Sequence, residues 1–183
     1  IVEVDGNHLE TLMTEMESIS EVLTGYDCGE IYFADNEQQK NTLWRLRRQV
    51  AEAVKMNGYL IEEDTVVPRA ALPALIRGVK ALGQQYNFDA VCYGHAGDGN
   101  LHIRIKTSGA SGSFLEPAIQ EGLRALFELV SNLGGTISAE HGIGLVQKRY
   151  MDIVMNETQL RLMREIKKVF DPNNILNAGK IFD

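Results

Sequence analysis

The sequence predicts an α+β plait, an antiparallel sheet with helices over one face and a helical extension at its C-terminal end. Three observations predict it. Short β-prone runs alternate with amphipathic helical stripes. Two strand-like runs at the centre flank Asp98-Gly99, a hairpin signal. Most connections between the elements are short.

Residues 1–4 (Ile-Val-Glu-Val) are β-prone, and Asp5-Gly6-Asn7 closes them as a turn. Leu9, Leu12, Met13, Met16, Ile19 and Leu23 then recur at helical spacing. Residues 29–33 are a second strand candidate. Asp35 or Asn36 caps a helix whose apolar face is Leu43, Leu46, Val50 and Val54. Residues 65–67 form a short strand ended by Pro68. The next stripe is Leu72, Leu75, Ile76, Val79, Leu82 and Tyr86, with Pro73 in the first turn, where a missing N–H does no harm. Runs 90–93 and 101–106 make the central hairpin. Leu101, Ile103 and Ile105 point one way along the second run, and His102, Arg104 and Lys106 the other. The Ser/Gly stretch 107–113 is linker-like, a candidate internal boundary. Leu115, Ile119, Leu123, Leu126, Phe127, Val130 and Leu133 line a long helix that Gly134-Gly135 stops. A short strand at 136–138 leads into the polar, Gly-flanked segment 139–144. The last helix starts at an Asn156 cap with Gln159 three residues on, and runs through Leu160, Met163, Ile166 and Phe170. Asp171-Pro172-Asn173-Asn174 ends it, leaving an irregular tail. Residues 1–183 read as one domain, and a start on Ile1 reads as a piece of something longer.

Eighteen Lys+Arg against 25 Asp+Glu give a net charge of −7, which argues against nucleic acid or an anionic membrane as the partner. The two cysteines, Cys28 and Cys92, are too few for a disulfide scaffold and read as inert small hydrophobes. No apolar run approaches the roughly 20 residues of a transmembrane helix. A sheet face left bare by one-sided helices would be apolar, which predicts self-association into a homo-oligomer.

Histidine is scarce, and His95, His102 and His141 all lie in or beside Gly-rich polar segments. His95 and His102 are seven residues apart across the turn, so a tight hairpin lets both imidazoles reach one ion. Glu140, just after a strand candidate, would complete a set of two imidazoles and one carboxylate. That set suits Zn²⁺ or Fe²⁺ and leaves positions open for a substrate. His141 would then point elsewhere, and an imidazole suits a proton acceptor. The competing reading is two surface histidines on a hairpin, with glycines that only make turns. Arg47 is four residues from Leu43 and three from Val50, so it lies near the apolar edge of its helix, while Arg45 and Arg48 share another side.

The strings Tyr93-Gly-His-Ala-Gly-Asp-Gly-Asn-Leu-His102 and Ser138-Ala-Glu-His-Gly-Ile-Gly144 resemble the C-terminal domain of FAD-linked 2-hydroxy-acid oxidases and dehydrogenases. Leu43-Trp-Arg-Leu-Arg47, Glu63-Asp-Thr-Val-Val-Pro68 and Phe170-Asp-Pro-Asn-Asn-Ile-Leu-Asn-Ala-Gly-Lys180 are similar to further family motifs, in the same order. The resemblance implies a ferredoxin-like cap over a flavin held mainly by an N-terminal domain outside this chain. It implies oxidation of a small D-2-hydroxy acid to the 2-oxo acid, with hydride passing to FAD. His95, His102 and Glu140 would hold a divalent metal (Zn, Fe or Mn), and His141 would take the hydroxyl proton. Arg47 would clamp the substrate carboxylate, a task a planar guanidinium suits. Asn177 and Lys180 would lie near the flavin or the domain junction. A cytoplasmic location follows, or a peripheral one through an electron-transfer partner.

The chain also departs from the pattern. The D-2-hydroxyglutarate branch has Lys, Asn and Thr where this chain has Glu62, Arg104 and Ala51, and Gln147 stands where a Lys often follows the second string. The Asp-Thr-Val-Val-Pro stretch is more similar to the glycolate and lactate branch. Arg104 shares a strand face with His102 and is a second candidate for a substrate carboxylate, or an exposed strand arginine. A non-catalytic ligand-binding plait and a zinc hydrolase are the alternative functions.

Overall fold

The computed structural model describes residues 1–107 and 117–182. The chain forms two compact units, Ile1–Ala53 and Val54–Asp183. In the first, helix α1 spans Leu9–Thr24, and α2 begins at Glu37 and runs to Met56. Asn36 is the α2 cap: its side-chain oxygen accepts from the Gln39 N–H at 3.0 Å, while the Gln39 side chain accepts from the Asp35 N–H at 3.0 Å. The half-buried stripe of α2 holds Leu43, Trp44, Arg47, Ala51 and Val54, whereas Leu46 and Val50 are exposed. The stripe is rotated from the expected face toward the bulky indole of Trp44, and Arg47 lies on it.

Neither 1–4 nor 29–33 is a strand. Both segments are β-prone, but a strand exists only when its N–H and C=O groups pair with a neighbour, and neither segment has one in the sheet.

The second unit contains β1 (Ile61–Val66), α3 (Leu72–Tyr86), β2 (Phe88–His95), β3 (Asn100–Thr107), α4 (Pro117–Asn132), α5 (Met151–Val154) and α6 (Glu157–Phe170). The three strands are antiparallel in the order β1-β3-β2. The strand expected at 136–138 is a single bridge from Thr136 to Val66, on the other side of β1. The result is a plait with a shortened fourth strand, and α5 and α6 form the C-terminal extension. The Ser/Gly loop lies, apart from Thr107, outside the described residues, as does Leu115.

Strand β1 starts four residues earlier than its sequence suggests. Ile-Glu-Glu-Asp looks too charged for a strand, yet Glu62 pairs across the ladder with Arg104 and Asp64 with His102. Cross-strand partners of this kind offset the poor β-propensity of acidic residues.

Leu101, Ile103 and Ile105 of β3 pack under α3 and α4 with Leu75, Val79, Leu123, Leu126, Phe127 and Val130. Each such fully buried side chain contributes about 1.5–3 kcal/mol through removal from water. The hairpin turn depends on Gly99, whose φ is +75° and whose missing Cβ would meet the Val67 carbonyl oxygen at 2.0 Å. That closeness lets the Val67 N–H donate to the Gly99 oxygen, which ties the turn to the end of β1.

The opposite sheet face is polar rather than apolar, with Glu62, Asp64, Asn100, His102 and Arg104 on it, so the reason given for self-association does not hold there. Exposed apolar residues lie elsewhere, among them Ile166, Phe170 and Ile175 on α6 and the tail.

Asn156 and Gln159 form the expected capping box at α6, with bonds of 3.0 and 2.8 Å. Asn156→Ala is expected to cost about 1 kcal/mol, read as a lower urea midpoint with an unchanged slope.

Candidate functional site

Residues directly opposite on antiparallel strands share a face. The register therefore sets Tyr93 and Asp64 on either side of His102, with His95 opposite Asn100 at the turn end. His102 is 6% exposed, while His95, Glu140 and His141 stand at the surface. Burial lowers the His102 pKa, so the ring is neutral at neutral pH, the form that ligates a metal.

The segment 139–144 reaches the same place. His102 Nε2 is 3.2 Å from Glu140 Oε1, and the rings of His102 and His141 stack at 5.1 Å with 24° between planes. His95 and His102 meet edge to face at 6.3 Å. Donor atoms of His95, His102 and Glu140 all lie within 4.8 Å of one another. A second set, Glu62, His102 and His141, meets the same limit among the described residues. The sets share His102, and only the first leaves the His141 imidazole available as a base.

The donors fit a divalent ion. Two imidazoles and a carboxylate are borderline ligands of the kind Zn²⁺, Fe²⁺ and Mn²⁺ take. His102 Nδ1, buried and without a hydrogen-bond partner, faces Asp64 Oδ1 at 3.8 Å. A proton on that nitrogen turns the lone pair of Nε2 toward Glu140.

Asp64 is 1% exposed, and the sequence offers it only as part of the Glu63–Pro68 motif. Its Oδ2 accepts from three consecutive backbone N–H groups, of Ala139 (3.0 Å), Glu140 (2.6 Å) and His141 (2.8 Å). Its Oδ1 accepts from Asn100 Nδ2 at 2.7 Å. Burial works to raise its pKa, but the N–H groups of His141 and Glu140 outweigh that and hold it below the usual carboxylate value. Apart from that motif, the sequence signal is the period-2 alternation of Glu62 and Asp64, which means nothing without the register.

Arg104 is largely buried and already engaged. Its Nη2 is 2.6 Å from Glu62 Oε2, and its Nε donates to Tyr93 Oη at 3.2 Å. Arg47 lies on α2 in the first unit. In the tail, Asn177 has φ +50° and accepts from Lys180 Nζ at 2.8 Å. The Ile181 N–H donates to the Gly144 oxygen at 2.8 Å, which ties the tail to the end of the second string. Burial pushes the Cys92 thiol up to about 11, away from the thiolate form, while Cys28 is exposed.

On the helix-covered face, Glu63 is 1% exposed and accepts from Gln147 Nε2 at 2.6 Å. Burial raises its pKa to about 7, against the Gln147 hydrogen bond and helped by the charges of Glu62 and Asp64. An acid raised in the folded state binds more protons there, so stability falls as pH rises from about 4.5 to 7. Glu63→Gln is expected to be more stable than the parent by up to about 3 kcal/mol at pH 8, with the gap closing near pH 4.5. Denaturant midpoints across that range check it.

No helix among the described residues is long and apolar enough to cross a membrane. The family model for FAD linked oxidases, C-terminal domain, matches residues 1–181. Glycolate oxidase subunit GlcD of Bacillus subtilis is 31% identical over 183 residues, all of this chain and 38% of that protein. D-lactate dehydrogenase of Anaerostipes hadrus is 34% identical over 97% of this chain and 38% of its own length. D-2-hydroxyglutarate dehydrogenase of Xanthomonas citri pv. viticola is 38% identical over 82% of this chain and 32% of its own. The chain thus spans between 32% and 38% of the length of these curated relatives.

Proposed function

We propose, from the premise that this chain belongs to the family of FAD linked oxidase C-terminal domains, that residues 1–183 form the substrate- and metal-binding cap of a flavin-dependent dehydrogenase. Its substrate is a small D-2-hydroxy acid, and its product is the 2-oxo acid. The observation that carries this reading is the meeting of His95, His102, Glu140 and His141 at one end of the polar sheet face.

His95, His102 and Glu140 hold the divalent metal. When bound, the metal supplies positive charge at the substrate oxygens, and FAD supplies the acceptor for the hydride that leaves the substrate carbon. His141 takes the hydroxyl proton at an imidazole nitrogen as the C–O single bond becomes C=O. For the substrate carboxylate the family likeness offers Arg47, whose planar guanidinium suits bidentate pairing. Asn177 and Lys180 belong to the side that meets the flavin, and the flavin-binding remainder of a longer protein is the partner.

Glu62 argues for the size of the substrate. Its carboxylate stands beside His102 and His141 and is paired with Arg104. A second carboxylate on the substrate would meet an anion there and an arginine already neutralised, which favours lactate- or glycolate-like monocarboxylates. The test is anaerobic mixing of the flavin-loaded protein with D-lactate, glycolate and D-2-hydroxyglutarate. Bleaching of the flavin by a monocarboxylate is expected. No bleaching by any 2-hydroxy acid overturns the reading.

A further inference from the structure

We infer that Asp64 is the positioning residue of the metal and base constellation, one buried carboxylate that sets both halves of the site in register. The inference rests on the metal role proposed for His95, His102 and Glu140. The site's two halves come from distant parts of the chain, the β2–β3 hairpin and the segment after Thr136. Segment 139–141 has no regular structure, and both of its functional side chains are exposed. What fixes its backbone at the site is the Oδ2 atom of Asp64, through three successive N–H donors. Three converging N–H dipoles form an anion-binding nest, filled here by a side chain of the protein itself. The other oxygen faces Asn100 Nδ2 and, at 3.8 Å, His102 Nδ1. Asp64 therefore holds the Glu140–His141 backbone with one oxygen and Asn100, at the start of β3, with the other, beside the His102 ring.

Every neighbour of Asp64 in these contacts is a donor, except that His102 Nδ1 becomes one only when it carries the proton. An acceptor is thus needed at both oxygen positions. Asparagine has the same shape but fails in either orientation. With its NH₂ toward 139–141 it sets donors against three N–H groups, and with its NH₂ toward Asn100 it sets donor against donor. A residue that merely filled space would tolerate that isosteric exchange.

The experiment is calorimetric titration of zinc into the chain and into Asp64→Asn, with amide hydrogen exchange of the Leu126, Phe127 and Ile103 core as a measure of the folded fraction. A residue with only a structural role lowers the unfolding midpoint but leaves zinc affinity per folded molecule unchanged. The positioning role predicts a loss of roughly 10- to 100-fold in zinc affinity with the core amides still protected. Affinity within twofold of the parent overturns it. Should the variant not fold, the metal-free parent decides: amides of residues 139–141 slowed at least about 100-fold support the role, and exchange at the free-peptide rate overturns it. If the parent takes up no zinc, the metal role of the site fails, and exchange at 139–141 still tests Asp64 on its own.

Discussion

His102→Ala is expected to abolish tight zinc binding. His102 is the one buried donor of the set, and both triads contain it. A donor in a site of this kind is worth roughly 3 kcal/mol, so its loss weakens zinc on the order of 100-fold or more. The cavity left by the ring costs a further ~1–3 kcal/mol of stability. His95→Ala separates these effects: His95 is exposed, so its loss should weaken zinc with little change in unfolding midpoint. In the flavin-loaded protein, turnover is expected to fall with metal content. Full activity and full zinc content in His102→Ala would remove the metal reading altogether.

His141→Gln is expected to behave in the opposite way, keeping zinc and losing turnover. General-base catalysis by a positioned imidazole contributes typically about 10²- to 10⁴-fold. Gln keeps the polarity but accepts no proton at neutral pH. The comparison also decides between the two donor sets. With the ion on His95, His102 and Glu140, Glu140→Gln loses zinc and His141→Gln does not. With the ion on Glu62, His102 and His141, the order reverses and His141 is spent as a ligand. Zinc titration of the two variants side by side reads this directly.

The helices were legible because their signals are local. The Asn156 and Gln159 capping box, Pro73 in the first turn of α3 and the α4 stripe each lie within a few turns of chain. The central hairpin was legible for the same reason, since Asp98-Gly99 joins strands that pair at once. Residues 1–4 and 29–33 misled because β-propensity marks a segment able to pair and says nothing about whether a partner is present. Strand β1 extends beyond its β-prone run because its charged residues find cross-strand partners about 40 residues away.

By itself the sequence determined the class of fold and the two strings that carry the family likeness, both of which rest on near neighbours along the chain. Only the tertiary structure decided that Asp64 is shared by both halves of the site, that Glu62 neutralises Arg104, and that Glu63 is sealed against Gln147 on the far face. Those pairings follow from strand register and chain closure, which join residues far apart in sequence and leave no periodic trace in either partner's neighbourhood.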